Sequence, residues 1–227
     1  MATYDLEEQE QIAELKAWWK QYGNLVTTLA TVASLGVIAW QGWNWYQRNQ
    51  AVQASAAYAV LQKAVLDNDA QRIKAASGEL LEKYGSTTYA ALAALKAAHM
   101  ASAANDAKTA KLQLQWVAEH ASDDLRDLAR LRLATLLIDE KAYDEALAQL
   151  ERATAGGFAA RVAEVRGDVF AAQGKKAEAR TAYQAALTRF DETAKKDGRA
   201  AGVQDRQAAA AYRELVQQKL DGQGEGG

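Results

Sequence analysis

Arg166–Leu187 reads RGDVFAAQGKKAEARTAYQAAL, and the order of small and large residues in this stretch decides the fold. Gly167 and Ala179 are small residues on either side of a break at Gly174, and Phe170, Tyr183 and Ala186 lie at helical spacing from them. Two antiparallel helices approach closely only where small residues occupy the crossing point. A large residue one turn away then fills the adjoining hole. A glycine between them allows the tight turn that reverses the chain. The stretch therefore predicts a helical hairpin.

The same order recurs upstream in Ala134, Leu137, Tyr143, Ala146, Leu150 and Ala153. From Ala146 to Ala179 the step is 33 residues, close to the period of about 34 of the tetratricopeptide repeat, whose small-and-large pattern it resembles. A fainter copy places Ala98, Ala110, Leu114 and Val117 one repeat earlier, and residues 53–84 read as a more divergent hairpin. Breaks of polar residues or glycine fall near Asp67-Asn68-Asp69, Gly85-Ser86-Thr87, Asn105-Asp106, Ser122-Asp123-Asp124, Asp139-Glu140-Lys141, Ala155-Gly156-Gly157 and Gln173-Gly174-Lys175-Lys176. They separate helices of roughly ten to fifteen residues. A last helix, Gln204–Leu220, is expected to cap the open apolar end of the array. The glycine-rich residues 221–227 are expected to form a flexible tail.

Composition agrees with an all-α chain. Apolar residues make up 49% of it, much of that alanine, and proline is absent, so few helix stops are enforced. Cysteine is absent as well, which removes disulfides, thiol chemistry and zinc knuckles. The net charge is −2 but is unevenly placed. Residues 1–23 carry Asp5, Glu7, Glu8, Glu10 and Glu14 against Lys16 and Lys20, leaving the remainder nearly neutral. A nearly neutral domain without a basic run gives little drive toward nucleic acid, so none is expected as a partner.

Ahead of the repeats, the residues from Gln21 to Gln47 carry no charged side chain. Trp18, Trp19 and Tyr22 precede the apolar run, and Trp40, Trp43, Trp45 and Tyr46 close it. Trp and Tyr favour the headgroup layer, where the ring is half buried and the polar tip is wet. A helix of about 22 residues at roughly 1.5 Å rise spans about 33 Å, close to the hydrocarbon thickness of a bilayer. These seven aromatics are therefore assigned to two membrane interfaces. Two other readings are weaker. A buried core helix would not gather large aromatics at both ends. A cleaved leader would not begin with an acidic region, and Ala54-Ser55-Ala56 lies far beyond the apolar run. Lys16 and Lys20 before the helix, against Arg48 after it, favour a cytoplasmic N-terminus. The expected organisation is thus an acidic cytoplasmic tail (1–23), a transmembrane helix (24–46), an α-solenoid of tetratricopeptide-like hairpins with a C-terminal capping helix (47–220), and the tail.

Residues that could carry chemistry are sparse. His99 and His120 are the two histidines, 21 residues apart, without an HExxH motif or a carboxylate at ligand spacing. Gly156-Gly157 has neither a preceding strand nor a following Lys-Ser/Thr, so it is no phosphate loop. No catalytic residue, metal site or cofactor is expected. A helical solenoid does present a concave face to peptides and partner helices, and Arg126, Arg130, Arg166 and Gln173 are candidates on its first helices. Plain solubility is the simpler reading of each alone.

The layout resembles the YfgM family, the ancillary SecYEG translocon subunit of the bacterial inner membrane. The resemblance rests on the acidic tail, Trp19 to Tyr22-Gly23, Gly42-Trp43 with Trp45-Tyr46, Tyr84-Gly85-Ser86-Thr87-Thr88-Tyr89-Ala90-Ala91-Leu92-Ala93, and Arg166-Gly167-Asp168 with Gly174-Lys175 and Ala179-Arg180. It implies a single-pass inner-membrane protein with periplasmic repeats. The implied partners are SecYEG, a PpiD-like periplasmic chaperone and exported client proteins, and the implied role is to pass those clients to periplasmic chaperones. The competing expectations are a scaffold for another envelope assembly and a stress-response regulator acting through the cytoplasmic tail.

Overall fold

A computed structural model of the chain describes residues 3–153, 156–196 and 203–224. The break position at Ala155, residues 225–227 of the tail, and the side chains of Asp5, Glu7 and Glu8 lie outside the described residues. Among those described there are nine α-helices, one 3₁₀ turn and no strand. The helices are α1 (Thr3–Leu66), α2 (Ala70–Tyr84), α3 (Thr88–Ala103), α4 (Ala107–His120), α5 (Asp123–Asp139), α6 (Tyr143–Glu151), α7 (Ala159–Ala172), α8 (Lys176–Lys196) and α9 (Val203–Gly222). The chain divides into two compact units, Met1–Val52 and Gln53–Gly227.

The described residues of the first unit all lie within α1. It contains the apolar run, and α1 is the one helix among the described residues long and apolar enough to cross a membrane. Leu25, Leu29, Val32, Leu35 and Ile38 are all exposed there, as residues facing lipid would be. The four hydroxyls in the run do not need water. Thr27 donates to the Gly23 carbonyl, Thr28 to Asn24, Thr31 to Thr27 and Ser34 to Ala30, at 2.7–2.8 Å. Satisfied within the helix, these groups avoid the cost of several kcal/mol that an unpaired polar group carries in hydrocarbon.

The second unit is a row of four hairpins, and its turns show the repeat most plainly. The C-terminal part of α1 pairs with α2, α3 with α4, α5 with α6 and α7 with α8. Each hairpin turns through one residue of positive φ: Asn68 at 51°, Asn105 at 58°, Lys141 at 59° and Gly174 at 75°. In each turn the next residue's N–H reaches the carbonyl five positions back. Asp69 bonds Ala64 at 3.0 Å, Asp106 bonds Ala101 at 2.8 Å, Ala142 bonds Leu137 at 2.9 Å, and Lys175 bonds Phe170 at 2.9 Å. This is the Schellman closure of a helix end. Asp69 and Asp106 then cap the following helix by accepting from Arg72 N and Thr109 N, each at 3.0 Å.

Three overlapping apolar clusters run along the row. Leu61, Ile73, Leu80 and Ala93 join α1, α2 and α3. Leu95, Leu114, Leu133, Leu150 and Val169 carry the core through α3 to α7. Tyr183, Val216 and Leu220 close it across α8 and α9. The last helix packs on α8, where the apolar end of the array would otherwise face water. The 3₁₀ turn Gly156–Phe158 leads into α7.

Candidate interaction surfaces

Most of the small residues singled out by the repeat pattern are buried. Ala134, Ala146, Ala179 and Ala186 have no exposed surface, and Tyr183 is buried. Ala153 lies just past α6, half-buried against the central core. Gly167 faces the Tyr183 ring so closely that a methyl group there would lie 2.5 Å from Cδ1 and closer still to Cε1. The Tyr183 hydroxyl donates to Asp168 Oδ1 at 2.9 Å. The Tyr84–Ala93 block forms the joint between α2 and α3. Thr87 caps α3 by accepting from Ala90 N, and Ala90, Ala91, Ala93 and Ala94 are all buried against neighbouring helices. Packing thus accounts for the alanines of the Tyr84–Ala93 block and for Gly167 and Ala179.

The aromatics at the ends of the apolar run are exposed: Trp18, Trp19 and Tyr22 at one end, Trp40, Trp43, Trp45 and Tyr46 at the other. Trp18 leans on Tyr22 at 5.8 Å between centroids, and Trp43 on Tyr46 at 6.1 Å.

Of the four first-helix candidates, Arg130 turns inward. Its guanidinium pairs with the fully buried Asp127 at 3.1 Å and also donates to the Arg152 carbonyl at the end of α6. Burial pushes the Arg130 guanidinium below its ordinary range, while the Asp127 charge works against that shift. Arg126 Nε lies 3.7 Å from the same Asp127 carboxylate. The sequence carries a signal for this pair: Asp127, Arg130, Ala134 and Leu137 follow the i, i+3, i+7, i+10 spacing of one buried stripe. Charges in such a stripe must satisfy each other. Gln173 is half-buried at the α7–α8 turn. Arg166 is half-buried and, among the described residues, has no hydrogen-bonding or ion-pair partner.

A second ionic cluster, not anticipated from the sequence, ties α9 to α7. Lys219 Nζ reaches Glu164 Oε1 at 2.9 Å and both Asp168 oxygens at 2.8 Å, and Arg161 reaches Glu164 Oε2 at 2.9 Å. Burial opposes ionisation of Glu164, yet the hydrogen bonds from Lys219 and Arg161 outweigh it and hold the carboxyl below its usual range. Burial likewise opposes the Lys219 charge, and Asp168 with Glu164 raises the group above its ordinary value regardless. Burial and these carboxylates push the Tyr183 and Tyr212 hydroxyls well above theirs. The partners are 51 and 55 residues apart. Glu164 and Asp168, like charges at i, i+4 on one face, were the available hint that a cation would be needed.

Several clefts open on this unit, two of them lined by neighbouring helices of the array. One, of about 630 Å³, lies between α3 and α5, the first helices of consecutive hairpins. It is floored by Ala98, Leu114 and Leu136 and rimmed by His99, Arg132 and Asp139. The other, of about 400 Å³, lies between α7 and α8 and is mostly apolar, with Phe170 and Arg166 in its wall. His120 is exposed and stacks on Trp116 at 4.7 Å. No group of three or more His, Cys, Asp or Glu among the described residues could hold a metal ion.

The tetratricopeptide repeat-like domain family matches residues 16–225. A Neisseria gonorrhoeae protein named ancillary SecYEG translocon subunit is 34% identical over 221 residues, covering 95% of this chain and 97% of that protein. The chain belongs to the ancillary SecYEG translocon subunit (YfgM) family. Proteins of the same name from Escherichia coli and Haemophilus influenzae are similar too. The first is 31% identical over 79% of this chain and 87% of that protein; the second is 30% identical over 81% and 90%. The family membership, the hairpin array and the single apolar helix fit a single-pass inner-membrane protein built for contact with other proteins.

Proposed function

We propose that this chain is a non-catalytic, membrane-anchored adaptor that associates with the SecYEG translocon and helps exported proteins pass to periplasmic chaperones, a PpiD-like chaperone among them. Its N-terminus faces the cytoplasm and its hairpins the periplasm. The 34% identity to the gonococcal translocon subunit over almost the whole of both chains carries this reading. Lys16 and Lys20 against Arg48 support the orientation, and the two aromatic clusters of α1 support a span between two interfaces.

Two measurements test it. Protease added to spheroplasts is expected to digest the unit after residue 52 while leaving the membrane intact; protection until lysis refutes the orientation. Affinity purification of the full chain from mildly solubilised membranes is expected to recover SecY and a PpiD-like chaperone. Consistent absence of both refutes the translocon role.

A further inference from the structure

We propose that the groove between α7 and α8 is a docking site for an amphipathic helix of a partner protein, one that carries carboxylates beside its apolar stripe. The site does not rest on the translocon reading, since it asks only for a partner of this chemistry.

The floor of the groove is Ala163, Ala182 and Ala185, with Phe170 in its wall. Small side chains on two neighbouring helices let a third helix settle between them by ridge-in-groove packing, and helix-in-groove docking places apolar residues at i, i+3, i+4 and i+7 into such a trough.

Charge decides what sort of helix fits. Arg166 and Arg189 line the groove, and Lys175 Nζ sits 5.9 Å from the centroid of the Phe170 ring. Glu178 is the one acidic side chain lining it. The other charged residues of α7 are committed: Arg161 to Glu164, and Glu164 and Asp168 to Lys219. Arg166, half-buried, has no such partner among the described residues. Among the described residues, the Arg189 side chain makes only a 3.4 Å contact to the Ala159 carbonyl. A half-buried guanidinium beside apolar walls attracts a carboxylate more strongly than one in open water. A neutral or basic helix would leave Arg166 unmatched or repel it.

The test uses the purified full chain in detergent and two labelled peptides of about 16 residues, long enough to form a helix. Both carry the same leucine stripe; one flanks it with Glu and the other with Lys. Fluorescence anisotropy is expected to show the acidic peptide binding at least tenfold more tightly than the basic one. Arg166→Glu is expected to abolish that preference, and Arg166→Gln with Arg189→Gln to weaken it. Lys83→Glu on α2, outside the groove, should leave it intact. Circular dichroism melting confirms that each variant is folded, and the Gln pair decides if the Glu variant is not. Equal binding of the two peptides, binding of neither, or an acidic preference that survives the Arg166 substitutions overturns the proposal. So does a doubled mass in light scattering that Arg166→Glu abolishes, because a second copy would then fill the groove.

Discussion

Gly167→Ala is expected to destabilise the hairpin array, although alanine is the better helix former. On an exposed helix the exchange would stabilise by about 1 kcal/mol. Here the new methyl group would lie 2.5 Å from Tyr183 Cδ1 and 2.9 Å from Cζ, inside the contact distance of carbon atoms. Tyr183 cannot swing away freely, because it is buried and its hydroxyl is bound to Asp168. Overpacking of this kind costs about 1–3 kcal/mol. A strained or broken bond to a carboxylate costs about 1.5–3 kcal/mol more. Set against the propensity gain, the net loss is about 1.5–5 kcal/mol. For a unit of this size that lowers Tm by about 3–20 °C. Thermal melts of the full chain followed at 222 nm would measure it. The decisive control is the same exchange beside Tyr183→Ala. With the ring gone, Gly167→Ala should become stabilising by up to about 1 kcal/mol. A stabilising Gly167→Ala in the parent, or the same sign in both backgrounds, would refute the reasoning.

Lys141 and Gly174 share a left-handed turn conformation, so their glycine exchanges should act in opposite directions. Lys141→Gly should stabilise, and Gly174→Ala destabilise, each by about 1 kcal/mol in urea unfolding. Lys219→Met leaves Glu164 and Asp168 without their shared cation, and about 2–3 kcal/mol should be lost at pH 7, below the usual cost of breaking a fully buried pair because Lys219 is partly exposed. Glu164 titrates below its ordinary 4.5 in the folded chain. Its stabilising contribution is therefore present above about pH 4.5 and lost as the pH falls through the depressed value. Melts between pH 7 and pH 3 should show the gap between parent and Lys219→Met narrowing with acid; a constant gap would argue against the cluster. Asp127→Asn should cost about 3 kcal/mol by leaving the buried Arg130 guanidinium without its carboxylate, and Arg130→Met less, because Arg126 stays beside Asp127; Asp127→Leu combined with Arg130→Met should cost less than Asp127→Asn alone.

Local order was the legible part of this sequence. Alanine and glycine at crossing points, and the polar breaks between helices, locate the hairpins because both signals act over a few residues. Asn68 and Asn105 mark turns for the same reason, since asparagine tolerates positive φ. The polar run Asp139-Glu140-Lys141 marks the third turn, but a lysine does not announce a positive φ. There the closure is imposed by packing of Leu137 and Ala146 on either side. The inward turn of Arg130 was readable from its register beside Asp127, whereas a cationic surface residue was the simpler expectation. The Lys219 cluster was not readable, because it joins groups more than fifty residues apart, and nothing local fixes such a pairing. The α7–α8 groove likewise depends on which charges the fold leaves unmatched.

Each hairpin in this array rests mainly on the one before it, through contacts between successive helices. Such topology has low contact order, and chains of this kind fold fast without waiting for distant segments. With neither proline nor cysteine, no prolyl isomerisation or thiol oxidation stands in the way. The array can therefore assemble vectorially, hairpin by hairpin, as the chain is delivered N-terminus first, and only α9 must arrive before the last apolar face is closed.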